Sequence, residues 1–208
     1  GITLQELGRL DEAEASYNQA IVLKSEYPEA HYNLGITLQE LGRLDEAEAS
    51  YNQAIALKPD YAEAHNNLGV TLKEFGRLED AEASYNRAIE LKPDYAEAQL
   101  NFCELLEKMN RADELLSFIR SKSGKILEKK ADYLYYEALI EFREENHETA
   151  AELIEKININ ELLVTRQPSA MKLQGDIYHQ KKSYSAAFES YKAKNKHVKD
   201  SLEYKKQK

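Results

Sequence analysis

Small and apolar residues fall at three- and four-residue spacing in paired runs: Leu34, Gly35 and Leu38 followed by Ala47, Tyr51 and Ala54, then, 34 residues on, Leu68, Gly69 and Leu72 followed by Ala81, Tyr85 and Ala88. Such spacing lays a stripe along one side of an α-helix, so each block predicts two amphipathic helices. Gly42 and Gly76 stand between the paired helices, where a chain leaving a helix needs a residue tolerant of positive φ. Pro59 and Pro93 stand just past the second helix, where they block its continuation. Each block reads as a helical hairpin followed by a stop.

The blocks are close copies: NLGITLQELGRLDEAEASYNQAIALKPDY from Asn33 is nearly rewritten as NLGVTLKEFGRLEDAEASYNRAIELKPDY from Asn67. A fixed 34-residue period marks a helical solenoid, in which each unit buries its apolar face only by stacking on its neighbours. Leu68-Gly69, Leu72, Gly76, Leu78, Ala81, Tyr85, Ala88 and Pro93 resemble the tetratricopeptide repeat motif, and Leu34-Gly35, Leu38, Gly42, Leu44, Ala47, Tyr51, Ala54 and Pro59 match it equally well. The resemblance implies an all-α fold, a right-handed superhelical solenoid of antiparallel helix pairs, acting as a binding scaffold.

The flanking units are less regular. Gly1 already occupies the mid-helix glycine position, with Leu4, Gly8, Leu10, Ala13, Tyr17 and Ala20 in register and Ser25 in place of the proline, so the first unit lacks most of its first helix. A fourth unit has Phe102 and Cys103 for Leu-Gly, Leu106 in register and Asn110 at the turn, where Asn tolerates the left-handed region. After a break at Ser123-Gly124, Tyr135, Ala138, Leu139 and Phe142 make a first-helix face. Ala150, Ile154 and Ile157 make its partner if the turn at Asn146-His147 is one residue shorter. Asn158 to Pro168 reads as a longer connection, after which Gly175, Tyr178, Tyr184, Ala187 and Tyr191 restore the motif with Lys182 at the turn. The chain is expected to divide into regular repeats over 1–122, the first truncated and the fourth degenerate, and divergent repeats with a C-terminal helix over 123–208.

With 208 residues, 42% of them hydrophobic, the chain can bury a continuous core. Cys103, the sole cysteine, stands at a small-residue position and reads as packing. No run approaches the roughly 18 apolar residues of a membrane span and no signal-peptide pattern opens the chain, so a cytoplasmic protein is expected. The net charge of −9 is uneven: residues 1–98 carry 19 acidic and 8 basic side chains, residues 99–208 carry 18 and 20, with lysines crowding a solvated end. An acidic repeat surface argues against nucleic acid, whose binding rests on basic groups replacing counterions. The expected partner is a protein or peptide, with neither nucleic acid nor membrane.

In the resembled family the first helices line the concave face. The candidate peptide-binding residues are then the positions not used for packing: Tyr32, Asn33, Ile36, Gln39 and Glu40 in one unit, Asn66, Asn67, Val70, Lys73 and Glu74 in the next. Asn33, Asn67 and Asn101 each precede the Leu-Gly pair or its replacement and form a ladder. An amide donates and accepts at once, so a column of them can pair with the backbone of an extended peptide whatever its side chains. The arrangement is similar to the repeat arms of the O-linked N-acetylglucosamine transferases, which implies that these three asparagines hold substrate peptide; a shared consensus residue is the alternative. The carboxylate clamp of chaperone-tail binders is missing, since its positions hold Tyr32 and Ile36, then Asn66 and Val70. Acidic Glu40 and Glu74 favour basic or neutral segments.

No catalytic constellation, cofactor motif or metal site emerges. His31 and His65 lie one repeat apart, too far to share a metal, and read as core packing; His147, His179 and His197 stand alone. Ser121 to Lys125 lacks the first glycine and the final Ser/Thr of a phosphate loop and reads as a helix boundary. Asp45-Glu46 and Glu79-Asp80 start second helices, where carboxylates suit the helix dipole. A non-catalytic scaffold is therefore expected. The alternative is the recognition arm of a larger transferase, a sulfotransferase or glycosyltransferase, because GDIYHQKKSYSAAFESYKAKN from Gly175 is similar to the last repeat before the catalytic domain in bacterial repeat-containing sulfotransferases. The truncated first unit leaves Ala13, Tyr17, Ala20 and Leu23 without their usual cover, which predicts a homodimer through that face.

Overall fold

The computed structural model describes residues 1–121, 131–162 and 166–206, and among these every regular element is helical. The chain forms two compact units, Gly1–Asn110 and Arg111–Lys208. In the first, α1 (Ile2–Glu6) pairs with α2 (Leu10–Leu23), α3 (Pro28–Glu40) with α4 (Leu44–Leu57) and α5 (Ala62–Glu74) with α6 (Leu78–Leu91); α7 (Ala96–Lys108) packs on α6. Each helix packs on the next, and α5 also touches α3 and α7, so these three first helices form a continuous layer. The second unit contains α8 (Ala112–Arg120), α9 (Ala131–Arg143), α10 (His147–Glu155), a 3-10 turn at Ile159–Glu161, α11 (Gln167–Gln180) and α12 (Tyr184–Lys206). Here α9 packs on α8 and α10, and α11 on α10 and α12.

The tight turns share one backbone solution. Gly8, Gly42 and Gly76 adopt φ of 70, 74 and 76°, and the next N–H bonds back to the last helical turn, Arg43 to Leu38 at 2.9 Å and Arg77 to Leu72 at 3.0 Å. That pattern satisfies carbonyls a helix end leaves orphaned. Asn110, Glu145 and Lys182 take the same conformation without glycine, at 56, 64 and 59°. The fifth turn is thus not shortened: it runs Glu144–Asn146 with Glu145 left-handed, and the Asn146 N–H reaches the Glu141 carbonyl at 2.8 Å. Ser123 and Gly124, with most of the Ser121–Lys125 stretch, lie outside the described residues.

The mid-helix glycines answer a different need. A Cβ on Gly35 would lie 2.6 Å from the Tyr51 ring, one on Gly69 2.7 Å from Tyr85, and one on Gly175 2.5 Å from Tyr191. Each phenol ring rests directly on first-helix backbone. Where Ala138 stands at that position, the residue sixteen further on is Ile154, slimmer than a tyrosine. Tyr51 and Tyr85 are fully buried in the first unit, as are Tyr135, Tyr136, Ile154 and Ile177 in the second.

The segment 158–168 is less of a loop than its sequence suggests. Asn158 caps the 3-10 turn by accepting from the Asn160 N–H at 3.2 Å, and α11 begins at Gln167. Pro168 therefore sits in the first turn of a helix, where its missing N–H has no partner to lose. Just before it, Arg166 forms a buried ion pair with Asp132, its guanidinium 4.9 Å from the centre of the Tyr136 ring. In the first repeat Ala13 and Tyr17 are buried after all, whereas Leu23 is 80% exposed, so the open apolar face is narrower than the sequence implied. Cys103 is buried.

Candidate peptide-binding face

Within the first unit, α3, α5 and α7 present equivalent positions side by side. Asn33, Asn67 and Asn101 are half-buried there. Thr37 and Thr71, buried one turn on, bond back to the carbonyls of Asn33 and Asn67 at 3.0 and 3.1 Å. The Asn67 amide donates to the Tyr32 hydroxyl at 3.3 Å, and the Asn101 amide to Asn66 Oδ1 at 2.9 Å. Asn66 in turn donates to Asn67 Oδ1 and Glu97 Oε1, both at 3.2 Å. The ladder is cross-braced: Asn67 and Asn101 each reach the residue preceding their counterpart one repeat earlier. Asn66 is fully buried and serves as the central brace, while Ile36, Val70, Gln39 and Lys73 are half-buried around it.

Tyr32 extends the network, its ring centre 4.8 Å from Tyr61 and 6.1 Å from Tyr51. Burial, reinforced by Glu63 and Glu97, pushes the Tyr32 phenol above its ordinary range, so it stays a neutral hydroxyl at physiological pH. The Tyr51 hydroxyl donates to Gln39 Oε1 at 2.9 Å, and Tyr17 to Gln5 at 3.3 Å. Repeat three breaks this column. Lys73 stands where glutamine would accept and turns to Glu104 at 3.0 Å, leaving the fully buried Tyr85 hydroxyl without a partner among the described residues. Burial, with Glu104, Glu74 and Glu97, pushes that phenol up.

Three further periodic contacts support the face, none of them evident in the apolar pattern. Lys24, Lys58 and Lys92 sit over Tyr27, Tyr61 and Tyr95, with the ammonium 4.9, 4.4 and 4.9 Å from the ring centres. Arg43 grips Glu46 in its own repeat and Glu14 in the preceding one, both at 2.7 Å, and Arg77 repeats this with Asp80 at 2.9 Å and Glu48 at 2.8 Å. His31 and His65 are not core packing. They are half-exposed straps whose Nε2 lies 3.4 and 3.2 Å from the carbonyls of Ser25 and Pro59, and Gln99 does the same to Pro93 at 2.6 Å. The common offset of six residues was the available clue. Among the described residues no group of three His, Cys, Asp or Glu is arranged to hold a metal, and no helix is long and apolar enough to cross a membrane.

Stacked antiparallel helical hairpins with glycine–tyrosine interlocks define a class, the helical-repeat solenoids. Family models described as tetratricopeptide repeat and TPR repeat match residues 32–96 and 3–42. Residues 3–96 are tetratricopeptide repeats. No curated relative matches it in sequence. Among solved structures, PilF of Pseudomonas aeruginosa superposes with a TM-score of 0.80 over 99% of this chain and 92% of its own, at 18% identity. YrrB, described as a TPR protein with an unusual peptide-binding site, gives 0.67 over 91% and 97% at 16% identity. The first TPR of Spaghetti (RPAP3), bound to the HSP90 peptide SRMEEVD, gives 0.52 over 53% and 87% at 25% identity.

Proposed function

We propose that residues 1–110 form a non-catalytic interaction scaffold that holds an extended segment of a partner protein against the first-helix face, on Asn33, Asn67 and Asn101. The observation that carries this reading is the cross-bracing: Asn67 and Asn101 each commit one N–H to the preceding repeat, which orients the amide while its second N–H is left for a ligand carbonyl. Groups held in place before binding lose little freedom on binding. Tyr32, Gln39, Ile36, Val70 and Lys73 frame the column, and Asn66 holds its spacing. The matched repeats and the peptide-bound structural neighbour support a peptide ligand in general. The chaperone-tail ligand is not carried over, because Tyr32, Ile36, Asn66 and Val70 occupy the clamp positions.

The test is capture of partners from source lysate by the chain and by an Asn33→Ala, Asn67→Ala variant, beside thermal melts of both. Partners captured by the parent and lost by the variant support the reading, with the melt lowered only by about 1 kcal/mol of lost hydrogen bonding. Equal capture overturns it.

A further inference from the structure

Among the described residues of 111–208 the exposed large apolar side chains are Tyr184, Phe188 and Val198, and all three belong to α12. Tyr184, Phe188, Lys192, Asn195 and Lys199 follow one another at three- and four-residue spacing, with Val198 beside the last, so they share one side of the helix. Aromatic rings fill the first half of that side and lysines the second. Between Tyr184 and Lys199 no carboxylate falls on it, and Glu189 pairs with Lys192 from the flank at 3.3 Å.

The repeat register sets these rings apart from ordinary surface residues. Counted from the tyrosine that rests on the mid-helix glycine, Phe188 stands where α2 has Glu14 and α4 has Glu48. Those two carboxylates are mostly covered, held by Arg43 and Arg77, which open the second helix of the following repeat. Phe188 is instead 64% exposed and Tyr184 60%, with Lys192 above the Phe188 ring at 6.0 Å and His179 beside Tyr184 at 5.5 Å. A position that meets a neighbouring hairpin inside the array has exchanged its carboxylate for an aromatic ring left in water. Nor does α12 turn back over this side: at the register of Leu57 and Leu91, where α4 and α6 end, it has His197 and runs on to Lys206.

We propose that this side of α12 is a docking surface for an acidic amphipathic helix of a partner protein, whose apolar residues cover Tyr184 and Phe188 while its carboxylates meet Lys192, Lys196 and Lys199. A helix fits because the backbone of α12 is satisfied internally, so recognition runs through side chains at helical spacing. The same register on α2 and α4 is likewise covered by a helical hairpin. Its acidity follows from charge: α12 carries six lysines against three carboxylates, whereas α4 carries three carboxylates and no base. Opposite charge steers such a helix in, and the rings anchor it. An anionic membrane would meet the same lysines, but three apolar side chains make too narrow a face to bury in lipid. The amide ladder plays no part in this surface.

Fluorescence polarisation on the whole chain tests this with labelled (Leu-Ala-Ala-Leu-Glu-Ala-Glu)3 and (Leu-Ala-Ala-Leu-Lys-Ala-Lys)3 helices, whose like charges keep each from pairing with itself. The acidic helix should bind and the basic one should not. Phe188→Ala should weaken binding by roughly tenfold or more, as truncating an aromatic anchor does. Lys192→Glu with Lys196→Glu should abolish the preference for the acidic helix. Thermal melts of both variants should match the parent, because these side chains are exposed. Phe75→Ala, which removes an exposed ring of the first unit, should leave affinity unchanged. Failure of the acidic helix to bind, equal binding of the basic one, or the same affinity in Phe188→Ala as in the parent overturns the inference. So does Phe188-dependent binding to phosphatidylserine vesicles, which would make the surface a membrane contact, or a dimer in sedimentation that Phe188→Ala dissolves, which would assign it to a second copy.

Discussion

Residues 1–110 turn at Gly8, Gly42 and Gly76 and, at their very end, at Asn110, whereas residues 111–208 turn through the same left-handed conformation at Glu145 and Lys182. The first unit lays tyrosine on glycine at every mid-helix site it completes, while the second keeps that arrangement only at Gly175 and Tyr191 and elsewhere uses Ala138 with Ile154. Backbone geometry is common to both. The periodic surface is not: the amide ladder and the lysine–tyrosine column occur in the first unit, and the buried Asp132–Arg166 pair has no counterpart there among the described residues. The motif positions therefore specify the hairpin, and what faces outward or across is free to vary.

The comparison can be broken first at the second unit's own device. Asp132→Ala removes the carboxylate paired with the buried Arg166 guanidinium and is expected to cost about 3–5 kcal/mol in urea unfolding followed by circular dichroism. A loss below about 1 kcal/mol would show that the pair is dispensable. Gly69→Val comes next, because its Cβ would meet the Tyr85 ring at 2.7 Å; about 3 kcal/mol is expected, against about 1–2 for Ala138→Gly, which adds backbone freedom and removes one buried methyl. Similar losses at both sites would remove the distinction between interlocked and relaxed repeats. Lys73→Gln should restore the acceptor that Tyr51 enjoys and raise stability by about 1 kcal/mol despite losing the half-exposed pair to Glu104. Smallest is Glu145→Gly, which relieves left-handed strain at a side-chain-bearing turn and should add about 0.5–1 kcal/mol, while Gly42→Ala should subtract about as much.

Helices α3 to α6 were legible because the period appears twice in nearly the same letters, each with a glycine and a proline to mark its ends. The fifth turn was not, since a glutamate at left-handed φ carries no mark, and the absence of glycine at Glu145 suggested a shortened turn where the backbone had kept full length. Pro168 misled in the opposite way: a proline stops the preceding helix and suits the first turn of the next, and sequence alone does not choose. Asp132 and Arg166 lie one 34-residue period apart, but in divergent units whose letters do not match at those positions, so nothing paired them in advance. The amide ladder was visible as a column. That Asn66 is its buried brace depends on Glu97 and Asn101, 31 and 35 residues on, which no local pattern reveals.

Most ties between the repeats of the first unit share a direction. Arg43 takes hold of Glu14 and Arg77 of Glu48, each 29 residues earlier, and Asn67 and Asn101 reach back 35 residues to Tyr32 and Asn66. Asn66 and Lys73 run the other way, donating to Glu97 and Glu104. In the four backward ties the acceptor is made before its donor, and water can satisfy an acceptor until the donor arrives. A chain emerging from the ribosome in that order meets a docking place already built, so each hairpin can settle on the one before it. The backward ties thus suit assembly in the order of synthesis, one repeat at a time.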